Sequence, residues 1–455
     1  MWKVNKDFTL PISTLIIFYF TLAGAFIFPL DSFLGFKGTA IGLHYLAIFD
    51  RLFPVAFDND YIISCAYYVL FILVFQYTYI LFVKRYMRVN KINIQTEKVP
   101  YEVIINPYIV SLISFICIFI SAFILRHEIY FAIGHEKSIY VITRANKNIY
   151  YTIHQLANEF AVLIPFIAYT FTVVKSNKFN IRVEDKKATF YILLFTCIIS
   201  SLYISCLGNR REILSGLVFC TLISLNHFKD ISYKRYGYIF MIVLTFFLAN
   251  NYFRLPVISR QLNAVLHLER TGNLNEAERD AKIDVKGTIA SVVFSNELFY
   301  AHFSMYGVIH KNVPLTYGSS FISLATSIIP RAIYPNRPKD IYQYYVDSVN
   351  PAPGQIYTIH HVAAYYLNFG VIGVVLAGFV LGGFFIFAFF IDFYSFKRNG
   401  TFLILLKCLI PFLICGQLVT FITAGPEAYK ALILEGVLIP VLLLWLCSKK
   451  ISIVQ

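Results

Sequence analysis

Apolar residues fill the chain in long unbroken runs, and polar residues are confined to the gaps between them. Five runs carry no charge at all: Phe8–Leu30, Tyr61–Val83, Val103–Leu125, Ala188–Gly208 and Phe369–Ile391. Shorter or weaker apolar stretches occupy Gln155–Val174, Ile213–Phe228, Tyr236–Phe253, Thr401–Thr423 and Ala431–Cys447. A helix needs roughly 20 apolar residues to cross the hydrocarbon core. Lipid offers no partner to an open backbone polar group, so a crossing segment has to be helical. The pattern therefore predicts an all-α polytopic membrane protein with about ten spans. Residues 1–253 would hold spans one to seven, 254–368 one long extracytoplasmic loop, and 369–455 spans eight to ten. A further stretch, Thr39–Phe57, is interrupted by Asp50-Arg51 and predicts an interfacial or bundle-packed segment.

Composition supports the same reading. Hydrophobic residues make up 58% of the 455 positions, charged residues 14%, and the mean hydropathy is +0.66. A soluble chain would carry roughly 25% charged residues, so this one lacks the polar side chains to cover a water-facing surface. The net charge of +14 points to anionic lipid head groups rather than nucleic acid, because the basic residues sit in short clusters between apolar runs. Placing both termini inside the cell puts Lys84, Arg85, Arg88, Lys91 and Lys98 in one cytoplasmic loop. Lys175, Lys178, Arg182, Lys186 and Lys187, then Lys229, Lys234 and Arg235, then Lys397 and Arg398, then Lys449 and Lys450 fall on the same side, as the positive-inside rule requires. Arg254–Asn368 then faces outward. A loop of that length without structure of its own would be unusual, so it should hold short helices. Thr288–Val308, rich in Phe and Tyr, predicts a helix lying in the interface. The basic N-terminus leads into an apolar run too long for a cleaved signal peptide and predicts a retained first span. The eight cysteines all fall in apolar runs, with no CxxC, and read as small buried hydrophobes. No cofactor and no resident metal are expected.

Four polar features could carry chemistry. Gly208-Asn209-Arg210-Arg211-Glu212 forms a tight outer turn whose arginines either anchor helix ends or grip a phosphate, since the guanidinium fork matches phosphate oxygens two at a time. Tyr317-Gly318, Ile329-Pro330-Arg331 and Tyr334-Pro335-Asn336-Arg337-Pro338-Lys339 make a shaped segment, where three prolines forbid a continuous helix and Arg331, Arg337 and Lys339 bring cations. Tyr357-Thr358-Ile359-His360-His361 precedes Tyr366-Leu367-Asn368-Phe369-Gly370; one histidine there could act as acid, base or phosphate donor, or simply pack. Asp58-Asn59-Asp60 could hold a divalent cation through carboxylates, although the pattern is short and common by chance. Glu159 and Glu435 fall near the outer ends of spans, where solvation of helix ends is the plainer reading. Gly378 and Gly382 form a GxxxG pair that predicts close helix packing.

The order of these features, Gly208-Asn209-Arg210-Arg211, a long outer loop, Tyr317-Gly318, Ile329-Pro330-Arg331-x-x-Tyr334-Pro335-x-Arg337-Pro338 and Tyr366-x-Asn368-Phe369-Gly370-x-x-Gly373, resembles the O-antigen (Wzy-type) polymerases of bacterial envelopes, over roughly Tyr191 to Leu381. The resemblance implies a glycosyltransferase with a glycosyltransferase-C-like membrane fold, in the bacterial inner membrane. Its substrates would be undecaprenyl-diphosphate-linked glycans polymerised at the periplasmic face, with a chain-length regulator protein as a partner. Arg210, Arg211 and Arg331 would cradle the diphosphate, with Arg254, Arg337 and Lys339 as a second tier; His360 or His361, with Arg331, would serve catalysis. The related O-antigen ligases and a lipid-linked sugar flippase are the competing readings.

Overall fold

The computed structural model describes residues 9–22, 25, 58–89, 101–134, 149–174, 181–184, 187–207, 211–226, 232–254, 297–326, 334, 336, 338–349, 359–390, 400–426, 429 and 431–452. Helix α3 (Pro107–Ile124) shows what solvent these segments are built for. Its buried positions are Pro107, Val110, Ser111, Ser114 and Ser121, while Leu112, Ile116, Phe119 and Phe123 face outward. An amphipathic helix in water buries its apolar stripe and exposes its polar one; here the arrangement is inverted. Helix α2 (Asn59–Val89) is apolar on both sides, exposing Ile63, Val69, Leu73 and Tyr77 while burying Tyr68, Phe71 and Phe75 beside Ser64. Hydrocarbon is the surrounding that such surfaces fit.

Five helices among the described residues are long and apolar enough to cross a membrane: Asn59–Arg85, Pro107–Ile124, Ile153–Val173, Ala188–Cys206 and His361–Ala388. The third and fourth lie in α5 (Ile149–Val173) and α6 (Lys187–Cys206), and α1 (Thr9–Leu22), α4 (Arg126–Gly134), α7 (Arg211–Asn226) and α8 (Tyr233–Arg254) accompany them. The expected ten spans are only partly matched. Of the weaker runs, α7 covers 16 residues, short of a full crossing at 1.5 Å per residue. Helix α5 is the central one, packed by α3, α6 and α7. Its Pro165 removes the partner of the Ala161 carbonyl, and the Ser114 hydroxyl of α3 donates to that oxygen at 2.6 Å. Ser121 of α3 bonds His154 Nδ1 (2.8 Å) and Asn158 Oδ1 (2.7 Å) of α5 and the Tyr203 hydroxyl of α6 (2.5 Å), so polar side chains tie the apolar helices together.

Three strands that the all-helical expectation did not include gather at one end of the bundle: β1 (Tyr101–Ile105), β2 (Ile181–Val183) and β3 (Ser448–Ser452), in the order β2-β1-β3. β1 pairs parallel with β2 (Val103 opposite Ile181) and antiparallel with β3 (Val103 opposite Lys450). Among the described residues the strands carry Arg182, Lys449 and Lys450, members of two clusters that the charge pattern placed on one side. Arg182 meets Glu102 at 3.0 Å and Lys449 meets Glu184 at 2.8 Å there. Asn106 then caps α3, its side-chain oxygen accepting from the Tyr108 and Ile109 amides (3.0 and 3.4 Å) with Pro107 in the first turn, the residue types those positions favour.

The stretch read as one outer loop is partly drawn into the bundle. Helix α9 (Glu297–His310) is buried at every position from Ala301 to Val308, unlike the half-exposed interfacial helix expected over Thr288–Val308; positions 288–296 lie outside the described residues. Short helices α10 (Ser319–Thr326) and α11 (Ile341–Val349) follow. Helix α12 (His361–Phe390) is not one rod: Gly370 has φ 62 and ψ −142, and a Cβ on Gly373 would sit 2.6 Å from the Tyr365 carbonyl carbon. Eight residues apart in a straight helix, positions 365 and 373 would be roughly 12 Å apart along the axis. The chain therefore folds back at Gly370, laying residues 361–369 antiparallel to 371–390, with His361 against the backbone of Ala377. The remaining elements are α13 (Thr401–Ala424), a π-helical stretch Ala431–Leu438, and α14 (Ile439–Leu446).

The GxxxG pair does what its spacing implied. A Cβ on Gly378 would lie 2.8 Å from Val74 Cβ and 2.9 Å from the Phe71 carbonyl oxygen of α2, and one on Gly382 2.9 Å from Thr78 Cβ. Neighbouring Gly383 has nothing within 4 Å. Gly378→Ile should thus cost about 1–3 kcal/mol through overpacking and lower the detergent melting temperature, while Gly383→Ile leaves it unchanged. Equal melting of the two variants would refute the close contact.

Candidate functional site

Helices α2 and α9 run antiparallel, and the seam between them is lined with hydroxyls, imidazoles and rings rather than aliphatic side chains. At the end where α2 begins, Asp58 accepts the Tyr61 amide (2.9 Å) and the Tyr306 hydroxyl (2.9 Å). Asp60 meets His310 Nδ1 at 3.0 Å, and the His310 ring stacks on Tyr306 with centroids 5.2 Å apart. Deeper in, Tyr61 packs edgewise on Tyr306 and His302. Tyr68 then stacks on His302 (4.5 Å), donates to the His302 carbonyl (2.6 Å) and meets His360 edge-on (4.7 Å). Tyr68 lies nine residues beyond Asn59, roughly 13 Å along the helix. His302 and His360 therefore sit well inside the bundle.

The two adjacent histidines have different surroundings. His360 caps the helix that follows: its Nδ1 accepts the Val362 amide at 3.1 Å, its carbonyl accepts the Ala364 amide, and its own amide donates to Ser304 Oγ of α9 at 2.9 Å. With Nδ1 accepting, the neutral ring carries its proton on Nε2. His361 turns the other way, against Tyr365, Phe421 and Tyr429. Both are fully buried, as the opposed directions of neighbouring helical residues require. His302 Nε2 and His360 Nε2 have no partner among the described residues. Burial pulls the His302 pKa down to about 4, against the raising effect of the Thr21 carbonyl on its Nδ1. Burial depresses His360 too, with His302 and His361 adding to it. At neutral pH these two rings are neutral, so they offer proton donors and acceptors but no charge for a phosphate.

The segments that bear the polymerase-like motifs are locked to each other. The Thr316 amide donates to the Leu367 carbonyl (2.7 Å), and the Thr316 and Ser320 hydroxyls donate to Asn368 Oδ1 (3.0 and 2.7 Å). Tyr317 and Gly318 take φ of 48 and 85, and a Cβ on Gly318 would press on the Phe369 ring at 3.2 Å. Glycine is needed there for both reasons. Asn368 Nδ2 donates back to the Ala364 carbonyl (2.7 Å), so its side-chain amide clamps the Thr316–Ser320 turn to the helix that begins at His361. Tyr344 of α11 donates to the Pro314 carbonyl (2.9 Å), which ties α11 to the turn that precedes Thr316.

No protein-family model, curated protein or solved structure matches the chain.

Of the cationic residues expected to cradle a diphosphate, Arg210, Arg331 and Arg337 lie outside the described residues, as do the side chains of Arg211, which opens α7, and Arg254, which ends α8. Lys339 is exposed and pairs with Asp347 at 2.7 Å. Arg331 and Arg337 belong to the α10–α11 connection. Glu159 departs from the helix-end reading: it is buried on α5 and accepts from Gln417 of α13 at 2.8 Å. Glu435 is half-buried in the π-helical stretch. His302 and His310 went unnoticed in the sequence. Their one signal was the polar series His302, Tyr306, His310, four residues apart on an otherwise apolar helix, which places all three on one face.

Proposed function

We propose that this chain is a membrane-embedded glycosyltransferase that polymerises undecaprenyl-diphosphate-linked oligosaccharide units at the outer face of the membrane. The observation that carries the reading is the clamp of Thr316 and Ser320 on Asn368, with Gly318 under Phe369. Segments 52 and 48 residues apart in sequence act as one structural unit, and Arg331 and Arg337 fall in the stretch of sequence that follows its first part. A diphosphate is already a good leaving group, so the transfer needs mainly cations that take up its developing charge and a base for the acceptor hydroxyl. Guanidinium groups at the level where a lipid's head group emerges would meet the first need.

A carrier for lipid-linked sugar is the second reading, favoured by the fold-back at Gly370 and by the imidazoles of His302, His360 and His361 buried inside the bundle, because broken helices and interior ionisable groups are common at transport sites. One experiment separates them. Full-length protein in detergent, with no compartments, is incubated with an undecaprenyl-diphosphate-linked oligosaccharide, with and without a lipid-core acceptor. A ladder of products made of two or more repeats supports polymerase activity. Transfer only to the lipid core would make the chain a ligase. No new glycosidic bond, together with translocation of the same lipid in vesicles, would make it a carrier.

A further inference from the structure

We propose that Asp58, Asp60 and His310 form a binding site for one divalent metal ion of the Zn2+ or Mn2+ class, at the end of the α2–α9 seam where α2 begins. One ligand atom from each of the three side chains lies within 4.8 Å of the other two. Ligands at about 2.0–2.2 Å from a cation sit roughly 3–4 Å from one another, so a small rotation of two short side chains closes the set. The chain brings these groups together across 250 residues, from the first turn of α2 and the last residue of α9.

Three physical features favour a cation over a plain ion pair. Two carboxylates and one imidazole converge on a half-buried spot, so anionic oxygens and a ring nitrogen from two helices face one another at a distance one cation can bridge. The site touches the C-terminal end of α9, where backbone carbonyls present the negative pole of the helix. Tyr306 supplies the outer layer found around metal ligands: its hydroxyl donates to Asp58 Oδ2 at 2.9 Å, and its ring stacks on His310. Such partners fix the orientation of first ligands. Mixed carboxylate and imidazole donors suit Zn2+ and Mn2+ better than Mg2+ or Ca2+, which prefer oxygen alone. Three protein ligands leave positions open for water or an exogenous oxygen ligand. The ion would pin the C-terminal end of α9 to α2, and with it the tyrosine–histidine seam below.

The test uses full-length protein in detergent, stripped with chelator and then titrated with Zn2+, Mn2+ and Mg2+, with bound metal and melting temperature both measured. Wild type should take up one equivalent of Zn2+ or Mn2+ and melt at a higher temperature with it. Asp60→Asn and His310→Gln should each weaken binding at least about 100-fold, and Tyr306→Phe about 10-fold. Asp58→Asn keeps the helix cap and should still weaken binding. Co2+ replacing the native metal should give a visible absorption band in wild type that His310→Gln abolishes; this reads the site directly even if a variant loses stability. Absence of Zn2+ and Mn2+ uptake by wild type would overturn the proposal, as would uptake and a Co2+ band undiminished by Asp60→Asn and His310→Gln, which would mark ions held elsewhere.

Discussion

Adding one methyl group at position 373 should stop the protein from folding. The Cβ of Gly373→Ala would overlap the Tyr365 carbonyl oxygen and sit 3.1 Å from the Tyr366 amide nitrogen. Both obstacles are backbone of the re-entrant helix, which cannot swing aside as a side chain tip can. Relief requires the two arms of α12 to part, and that would also break the Asn368 clamp and pull His361 away from Ala377. The loss should exceed about 4 kcal/mol, a size reached only where backbone or core is violated. Gly383→Ala on the same helix, with open space around it, is the matched control. Size-exclusion profiles and melting curves in detergent read the outcome. If Gly373→Ala elutes and melts with wild type, the fold-back at Gly370 is wrong. Gly370→Ala should be milder, costing about 1–3 kcal/mol for a side chain at a positive φ.

The second large effect concerns activity alone. Arg331→Ala should reduce chain extension at least about 100-fold, the scale on which one preorganised charge-stabilising donor acts, while membrane insertion and melting stay normal. Arg331→Lys should recover little of it, because an ammonium is a point charge and cannot grip two phosphate oxygens with a planar fork. The readout is the product ladder from a lipid-linked repeat unit, beside the melting curve of each variant. Full-length polymer from the alanine variant removes Arg331 from the proposed cradle. Restoration by lysine to wild-type level would keep a charge requirement and discard the bidentate grip.

The hydrophobic pattern reported on the helices well, because lipid forces every crossing backbone to satisfy its own hydrogen bonds. The runs starting at Tyr61, Val103, Ala188 and Phe369 all reappear as long helices. The GxxxG spacing of Gly378 and Gly382 likewise named a face that packs on α2. Apolar length alone failed where it met the re-entrant segments. Residues 297–310 are too short to cross and read as part of an interfacial helix, and 361–368 read as the end of the outer loop. The small sheet was equally hidden, since β2 is three residues long and its strands lie far apart in sequence.

What the sequence by itself determined was the solvent: long charge-free runs, with the basic residues clustered in the gaps between them. Those are local properties, set by transfer energies residue by residue. Only the tertiary structure decided which polar groups meet. Asp60 finds His310, Tyr68 finds His302 and His360, and Thr316 finds Asn368 because α2, α9 and α12 pack side by side. That packing depends on a reversal at Gly370 and a close backbone approach at Gly373, which no periodicity announces.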